Sequence, residues 1–258
     1  MRAHRTLATS LATVICGTCA ALEVGKKPDL PQLPGVPYVV HDGTRPQPNK
    51  VQTSGAVVVN APSDAHILFN GKDASAWNNG ERWTVRDGAL VVGKGAIRSK
   101  KTFGDCQLHL EYRVPAGRQV RGQKGGNSGV FLMERYEIQI GEAHTNLTYP
   151  DGQSGAIYGQ FPPLVNPQTQ QGEWQSYDII FRAPRYDQGK VETPARVTVL
   201  FNGVAVQIDQ PLYGPTVHQK LAIYPADHPE KGPIKLQEHG DPIEFRNIWV
   251  RELDAYDE

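Results

Sequence analysis

Cysteine is scarce in this chain: three residues in 258, two of which, Cys16 and Cys19, fall within the first twenty positions. Past them only Cys106 remains, and a single thiol closes no internal disulfide. An excess of charge is also missing. Lys plus Arg number 27 and Asp plus Glu number 27, with no basic stripe, so nucleic acid is not an expected partner and the ligand should be uncharged or small. No apolar run is long enough to span a bilayer, and no internal repeat, heptad or long amphipathic helical period is present. The chain beyond the first twenty residues has no His-x-His or Cys-x-x-Cys pair, so local spacing announces no metal site. It has no Gly-x-Ser-x-Gly nucleophile elbow and no phosphate loop.

What is abundant is glycine and proline, 26 and 20 residues, spread along the chain as turns between short strands would require. The amino terminus fits an export signal. Arg2, His4 and Arg5 open it, Leu7 to Leu22 is weakly apolar, and Cys19-Ala20-Ala21 offers a small-x-small cleavage site, giving a signal over residues 1–21. Neither early cysteine has the Leu-small-small approach of a lipid-anchored leader, so the expected location is secreted or periplasmic. Residues 22–64 carry seven prolines between Pro28 and Pro62 and form a linker or an extended arm lying on the domain.

Residues 65–253 carry strand after strand. Trp83-Thr84-Val85, a turn at Asp87-Gly88, and Ala89 to Val92 make a hairpin. Cys106, Leu108, Leu110, Tyr112 and Val114 alternate with polar residues, the period of a strand with one buried face, which makes Cys106 apolar filler. Val130 to Met133, Tyr136 to Ile140, Trp174 to Phe181 and Phe245 to Val250 follow, and Asn202-Gly203 joins Val197–Phe201 to Val204–Ile208 in a tight hairpin. The expectation is an all-β, two-sheet antiparallel jelly-roll sandwich. The strand signal fails from Gly141 to Gly172, a stretch holding Tyr149, Tyr158 and Phe161, and a second polar loop is expected over Pro211 to Gly240.

Three constellations could carry chemistry. In Tyr136–Ile140, Glu137 and Gln139 share the face opposite Tyr136, Ile138 and Ile140, with Glu142 and His144 just past the strand; an acid beside an amide suits a sugar site, and an ordinary solvated strand face is the plainer reading. Gly125-Gly126-Asn127-Ser128-Gly129 permits close backbone approach, either to a substrate oxygen or simply to make a turn. Leu236-Gln237-Glu238-His239-Gly240 offers His239 as a base or metal ligand, or as a turn histidine.

Taken in order, Leu68-Phe69-Asn70-Gly71-Lys72-Asp73, Trp83-Thr84-Val85-Arg86-Asp87-Gly88, Gly126-Asn127-Ser128-Gly129-Val130-Phe131, Tyr136-Glu137-Ile138-Gln139-Ile140, Gly155-Ala156-Ile157-Tyr158-Gly159 and Leu236-Gln237-Glu238-His239-Gly240 before Phe245-Arg246-Asn247-Ile248 resemble the 3-keto-disaccharide hydrolase domain family. The resemblance implies a concanavalin-like jelly roll, usually exported, in glycan-degrading bacteria. It departs where the family has Asp after the Glu-x-Gln strand, Glu142 standing closest here, and in a longer loop before Gly172. The implied chemistry starts from a ketone at C3, which acidifies the proton on C2. A base takes that proton, the enolate expels the group on C1, and water adds. Glu137 or His239 would be the base; Gln139, Arg246 or the amides around Ser128 would hold the enolate oxygen; Glu142 would be the leaving-group acid; Asn127 and Gln237 would bind substrate. A divalent metal would serve the enolate equally well, and the sequence neither demands nor excludes such a cofactor. Two other readings use the same fold: a laminarinase-like glycosidase with Glu137 and Glu142 as its carboxylate pair, and a carbohydrate-binding module without chemistry.

Overall fold

The computed structural model describes residue 25 and residues 29–253. The expected signal over residues 1–21 lies outside the described residues. Polar and apolar residues alternate along most strands, and the chain satisfies that pattern by packing two antiparallel sheets face to face. The larger has eight strands in the order Val204–Pro211, Arg196–Phe201, Gln175–Arg182, Cys106–Arg113, Glu244–Glu252, Ala89–Val91 and Thr84–Arg86, with His66–Phe69 also paired to Glu244–Glu252. The smaller has five: Trp77–Asn78, Ile97–Phe103, Gly232–Leu236, Ser128–Leu132 and Tyr136–Ile140. Between them Leu108, Leu110, Tyr112, Tyr177 and Phe245 from one sheet pack with Val130, Ile138, Ile140, Ile234 and Leu236 from the other in one apolar core. Cys106 is a free thiol within it, and burial pushes its pKa up to about 12, so it stays neutral. The fold is the expected all-β jelly-roll sandwich.

The hairpin turns obey their residues. Asn202 and Gly203 have φ of 50° and 79°, and Asp87 and Gly88 have 52° and 74°, the left-handed pair that a tight two-residue turn needs. The expected polar loop from Pro211 to Gly240 is only partly a loop. Gly232–Leu236 forms a strand inside the five-stranded sheet, paired to Ile97–Phe103 and to Ser128–Leu132. Pro233 argues against an interior strand in the sequence, and the sheet accommodates it with a shifted register between Pro233 and Lys235.

Two irregular segments shape the site. The stretch after Gly141, whose one strand is the two-residue Val165–Asn166, folds against the free edge of Tyr136–Ile140, where the backbone amides of Gln139, Gly155 and Tyr158 bond to the carbonyls of Ala156, Gln139 and Glu137. The proline-rich residues 29–64 lie along the domain as an extended arm. Asn49–Lys50 pairs in parallel with Val165–Asn166, Ala56 N donates to Trp174 O, and Val59 O accepts from Asn247 Nδ2 and Trp249 Nε1.

Candidate active site

Alternation along Tyr136–Ile140 sends Tyr136, Ile138 and Ile140 into the core and Glu137 and Gln139 to the other face of the smaller sheet. That face is not solvated here. Glu137 is 4% exposed and Gln139 2%, because the 141–172 segment and Thr216 close over them. Thr216 is pinned there by accepting from Glu137 N at its hydroxyl and donating its own amide to Arg135 O.

Register decides what surrounds Glu137. Phe131 is its cross-strand partner and Lys235 is the partner of Phe131, with the Lys235 ammonium 3.7 Å from the Phe131 ring centre. Gly129 stands opposite Gln139, and a Cβ at Gly129 would fall 2.4 Å from Glu137 Oε1. The last glycine of the Gly-Asn-Ser-Gly run is thus the space that the Glu137 carboxyl occupies. Burial, only partly offset by the Lys235 charge, pushes the Glu137 pKa up to about 8.

Amides form the floor beside it. Gln139 Nε2 donates to Gln123 Oε1 at 2.9 Å and to Asn127 Oδ1 at 3.1 Å, while Asn127 Nδ2 donates to Gln123 O. The side-chain carbonyls of Gln139 and Gln237 are buried and meet no protein donor among the described residues, so both can accept from a ligand hydroxyl. Phenols form the opposite wall. Tyr149 and Tyr158 join hydroxyl to hydroxyl at 2.7 Å, and Tyr158 reaches His218 Nδ1 at 3.2 Å. Burial pushes both phenols up, Tyr158 to about 12, so both remain protonated donors at neutral pH. His239 stands exposed at the mouth. Together these groups enclose a cavity of about 380 Å³.

The structure therefore brings Glu137, Gln139, Asn127, Gln237 and His239 to one cavity and places three other expected residues elsewhere. Arg246 lies on the outer face of the larger sheet, where it pairs with Glu111 at 2.6 Å and stacks on Trp174. Strand parity explains this: its neighbour Phe245 faces the core, so Arg246 must face away from it, and the smaller sheet lies on the core's other side. Glu142 turns its carboxylate back on its own loop, accepting from the amides of His144 and Thr145 and from the Thr145 hydroxyl. Ser128 is buried on the core side, where its hydroxyl donates to Gln237 O at 2.7 Å and so holds the Gln237 turn. The backbone N–H of Asn127 is likewise committed, donating to Asp241 Oδ2 at 3.0 Å. Tyr149, Tyr158, His218, Gln123 and Phe131 line the cavity but were not among the expected site residues. For Tyr149 and Tyr158 the signal in the sequence was aromatic residues in a stretch without strand periodicity; Gln123, Phe131 and His218 had none of that kind. Among the described residues no group of three His, Cys, Asp or Glu side chains could hold a metal ion.

A family model described as a 3-keto-alpha-glucoside-1,2-lyase-like domain matches residues 64–251. A 3-keto-disaccharide hydrolase of Bacteroides thetaiotaomicron is 24% identical over 241 residues, covering 74% of this chain and 80% of that one. A solved Parabacteroides distasonis structure, described as a candidate glycosyl hydrolase, superposes with a TM-score of 0.72 at 39% identity, covering 85% of this chain and 99% of the other. A second from the same organism shares the fold, with a TM-score of 0.53 at 21% identity and coverage of 74% and 94%.

Proposed function

Because the chain belongs to the 3-keto-alpha-glucoside-1,2-lyase-like domain family, we propose that its cavity binds a sugar oxidised at C3 and breaks the C1 glycosidic bond by elimination and hydration. The observation that carries this reading is Glu137, a buried carboxyl at a cavity wall whose pKa is pushed up to about 8. A carboxylate made this basic is suited to take a proton from carbon, and its pKa lies near the working pH of a general base. Glu137 removes the proton on C2. The electron pair moves onto the C3 oxygen, which the Tyr149–Tyr158 hydroxyl pair on the cavity wall would stabilise by donating a hydrogen bond. The pair then returns to form the C1–C2 double bond and the C1–O bond breaks, with His239 at the mouth protonating the departing alcohol. Water adds its hydroxyl to C1 and gives its proton back to His239, and Glu137 returns its proton to C2. The carbonyls of Gln139 and Gln237 accept sugar hydroxyls meanwhile.

The carboxylate-pair alternative loses its second member. A retaining glycosidase needs two carboxyl groups about 5 Å apart and an inverting one needs them roughly 6.5–9.5 Å apart, flanking the bond. Glu142 is instead spent on its own turn, and Glu137 is the one carboxylate among the described residues lining the cavity. The test offers the protein a 3-keto glucoside and its unoxidised parent in deuterated water, with and without chelator. Cleavage of the keto sugar alone, with deuterium at C2 beyond a protein-free control for spontaneous enolisation, is the expected result. Cleavage of the parent without label restores the two-carboxylate mechanism. Binding without cleavage of either sugar leaves a carbohydrate-binding module.

A further inference from the structure

His41 sits in the proline-rich arm, outside the 64–251 segment matched by the family model, yet it is 0% exposed. Its ring packs 4.1 Å from the Tyr149 ring and 4.9 Å from that of Tyr158, centre to centre, with the His218 ring at 5.6 Å. Its amide donates to Asp151 Oδ2 at 2.9 Å and its Nδ1 lies 3.4 Å from Asp151 Oδ1. Asp151 is 1% exposed and lies two residues beyond Tyr149. The chain passes directly over this ring at Gly159, where a Cβ would stand 3.4 Å from His41 Cε1. Neighbouring arm residues grip the same loop: Arg45 donates to Gln160 O, Gln47 donates to Thr148 O, and Gln47 Oε1 accepts from Gln153 Nε2. Apart from the His218 ring, every one of these contacts falls on the segment that carries the two cavity phenols.

We propose that the arm is the outer layer of the cavity wall and that His41, clamped by Asp151, is a positioning residue that holds the Tyr149–Tyr158 pair against the cavity. His41 touches no substrate in this arrangement. It supports the rings from behind, and those rings keep water from Glu137. The inference rests on the reading of this cavity as the active site only for its effect on rate; its structural content stands without substrate.

Glu137 is the internal reporter. The titratable groups around it are Lys235 from the strand beyond that of Phe131, Tyr149 and Tyr158 from the loop, His218 from the covering segment and His239 at the mouth. Its high pKa comes from burial, so a loosened wall that admits water lowers it. The experiment follows the Glu137 carboxyl by carbon-13 NMR titration in the full chain without substrate, alongside kcat and KM on a 3-keto glucoside. His41→Asn removes the ring while tolerating the φ of 57° at this position. It should move the Glu137 midpoint down by about one pH unit or more and lower kcat/KM by about tenfold or more. Asp151→Asn reaches the same clamp from the loop side and should act in the same direction, so the test survives poor folding of either variant. Leu33→Ala, at a buried arm position that makes none of the contacts above, should lower Tm and leave the midpoint in place. An unchanged midpoint in His41→Asn and Asp151→Asn overturns the proposal, as does an equal shift in Leu33→Ala. If Glu137→Gln stays active while His41→Asn shifts the midpoint, the reaction is wrong and the positioning role stands; the opposite pattern separates them the other way.

Discussion

Glu137 is asked to be buried and to ionise, and these demands oppose each other. In the unfolded chain its carboxyl titrates at the ordinary value of 4.5; in the fold, burial raises this to about 8 despite the Lys235 charge. The native state therefore keeps a proton that the unfolded chain has released, and stability falls as pH rises from 4.5 through about 8. Above that range Glu137 costs on the order of a few kcal/mol. Glu137→Gln should consequently raise Tm at pH 8–9 relative to wild type, with the two melting curves converging near pH 4–5, a comparison that differential scanning calorimetry makes directly. The same substitution removes the base and should lower kcat by roughly a hundred- to ten-thousand-fold. A gain in stability with a loss of rate is the signature of a site that trades one for the other. The wild-type kcat/KM should rise with pH through about 8, because only the ionised carboxylate accepts the proton. A flat profile between pH 6 and 9 would remove Glu137 from that role.

At the scale of elements, the two sheets have different tasks. The smaller sheet presents its outer face to the cavity. The outer face of the larger sheet carries a polar cluster under the arm. There Glu111 accepts from Arg246 Nε at 2.7 Å and Asn247 Nδ2 at 2.9 Å, and His109 lies between Glu111 and Asp178. Burial would raise the Glu111 pKa, but His109, Asn247 and Arg246 outweigh it and hold the group below its usual value. Trp174 receives the Arg113 and Arg246 guanidinium groups at 4.6 and 4.2 Å from its ring centre. Arg246 is thus a structural cation, and Arg246→Ala should cost roughly 1–3 kcal/mol in urea unfolding by stripping a partner from a buried carboxylate. It should leave kcat/KM on a 3-keto glucoside within about twofold, since a surface charge across the sandwich is screened from the cavity. A large loss of rate at unchanged stability would return Arg246 to the site.

For the whole molecule, the arm and the domain act together: the arm crosses the outer face of the larger sheet at Val59 and reaches the cavity wall at His41. We propose that the protein is exported and that its mature form begins after Ala21, on the signal pattern of residues 1–21. Mass spectrometry of protein recovered from outside the cytoplasm checks this, and retention of Met1 would contradict it. No helix among the described residues is long and apolar enough to cross a membrane.

Sequence by itself determined the sandwich, because period-two alternation in Cys106–Arg113 and Tyr136–Ile140 and the Asn202-Gly203 turn are local consequences of backbone geometry. It also put Glu137 and Gln139 on one face. It concealed Gly232–Leu236, whose few apolar residues and Pro233 make a weak strand signal that only pairing on both sides completes. Tertiary structure alone decided that Arg246 and His239, a few residues apart in the chain, belong to different surfaces, since the chain crosses from one sheet to the other between them. It alone decided that Glu142 closes its own turn, and that the 141–172 segment folds back to bury Glu137. A pKa is a property of an environment assembled from distant segments, so the feature that makes Glu137 a base could not be present in any stretch of sequence shorter than the fold.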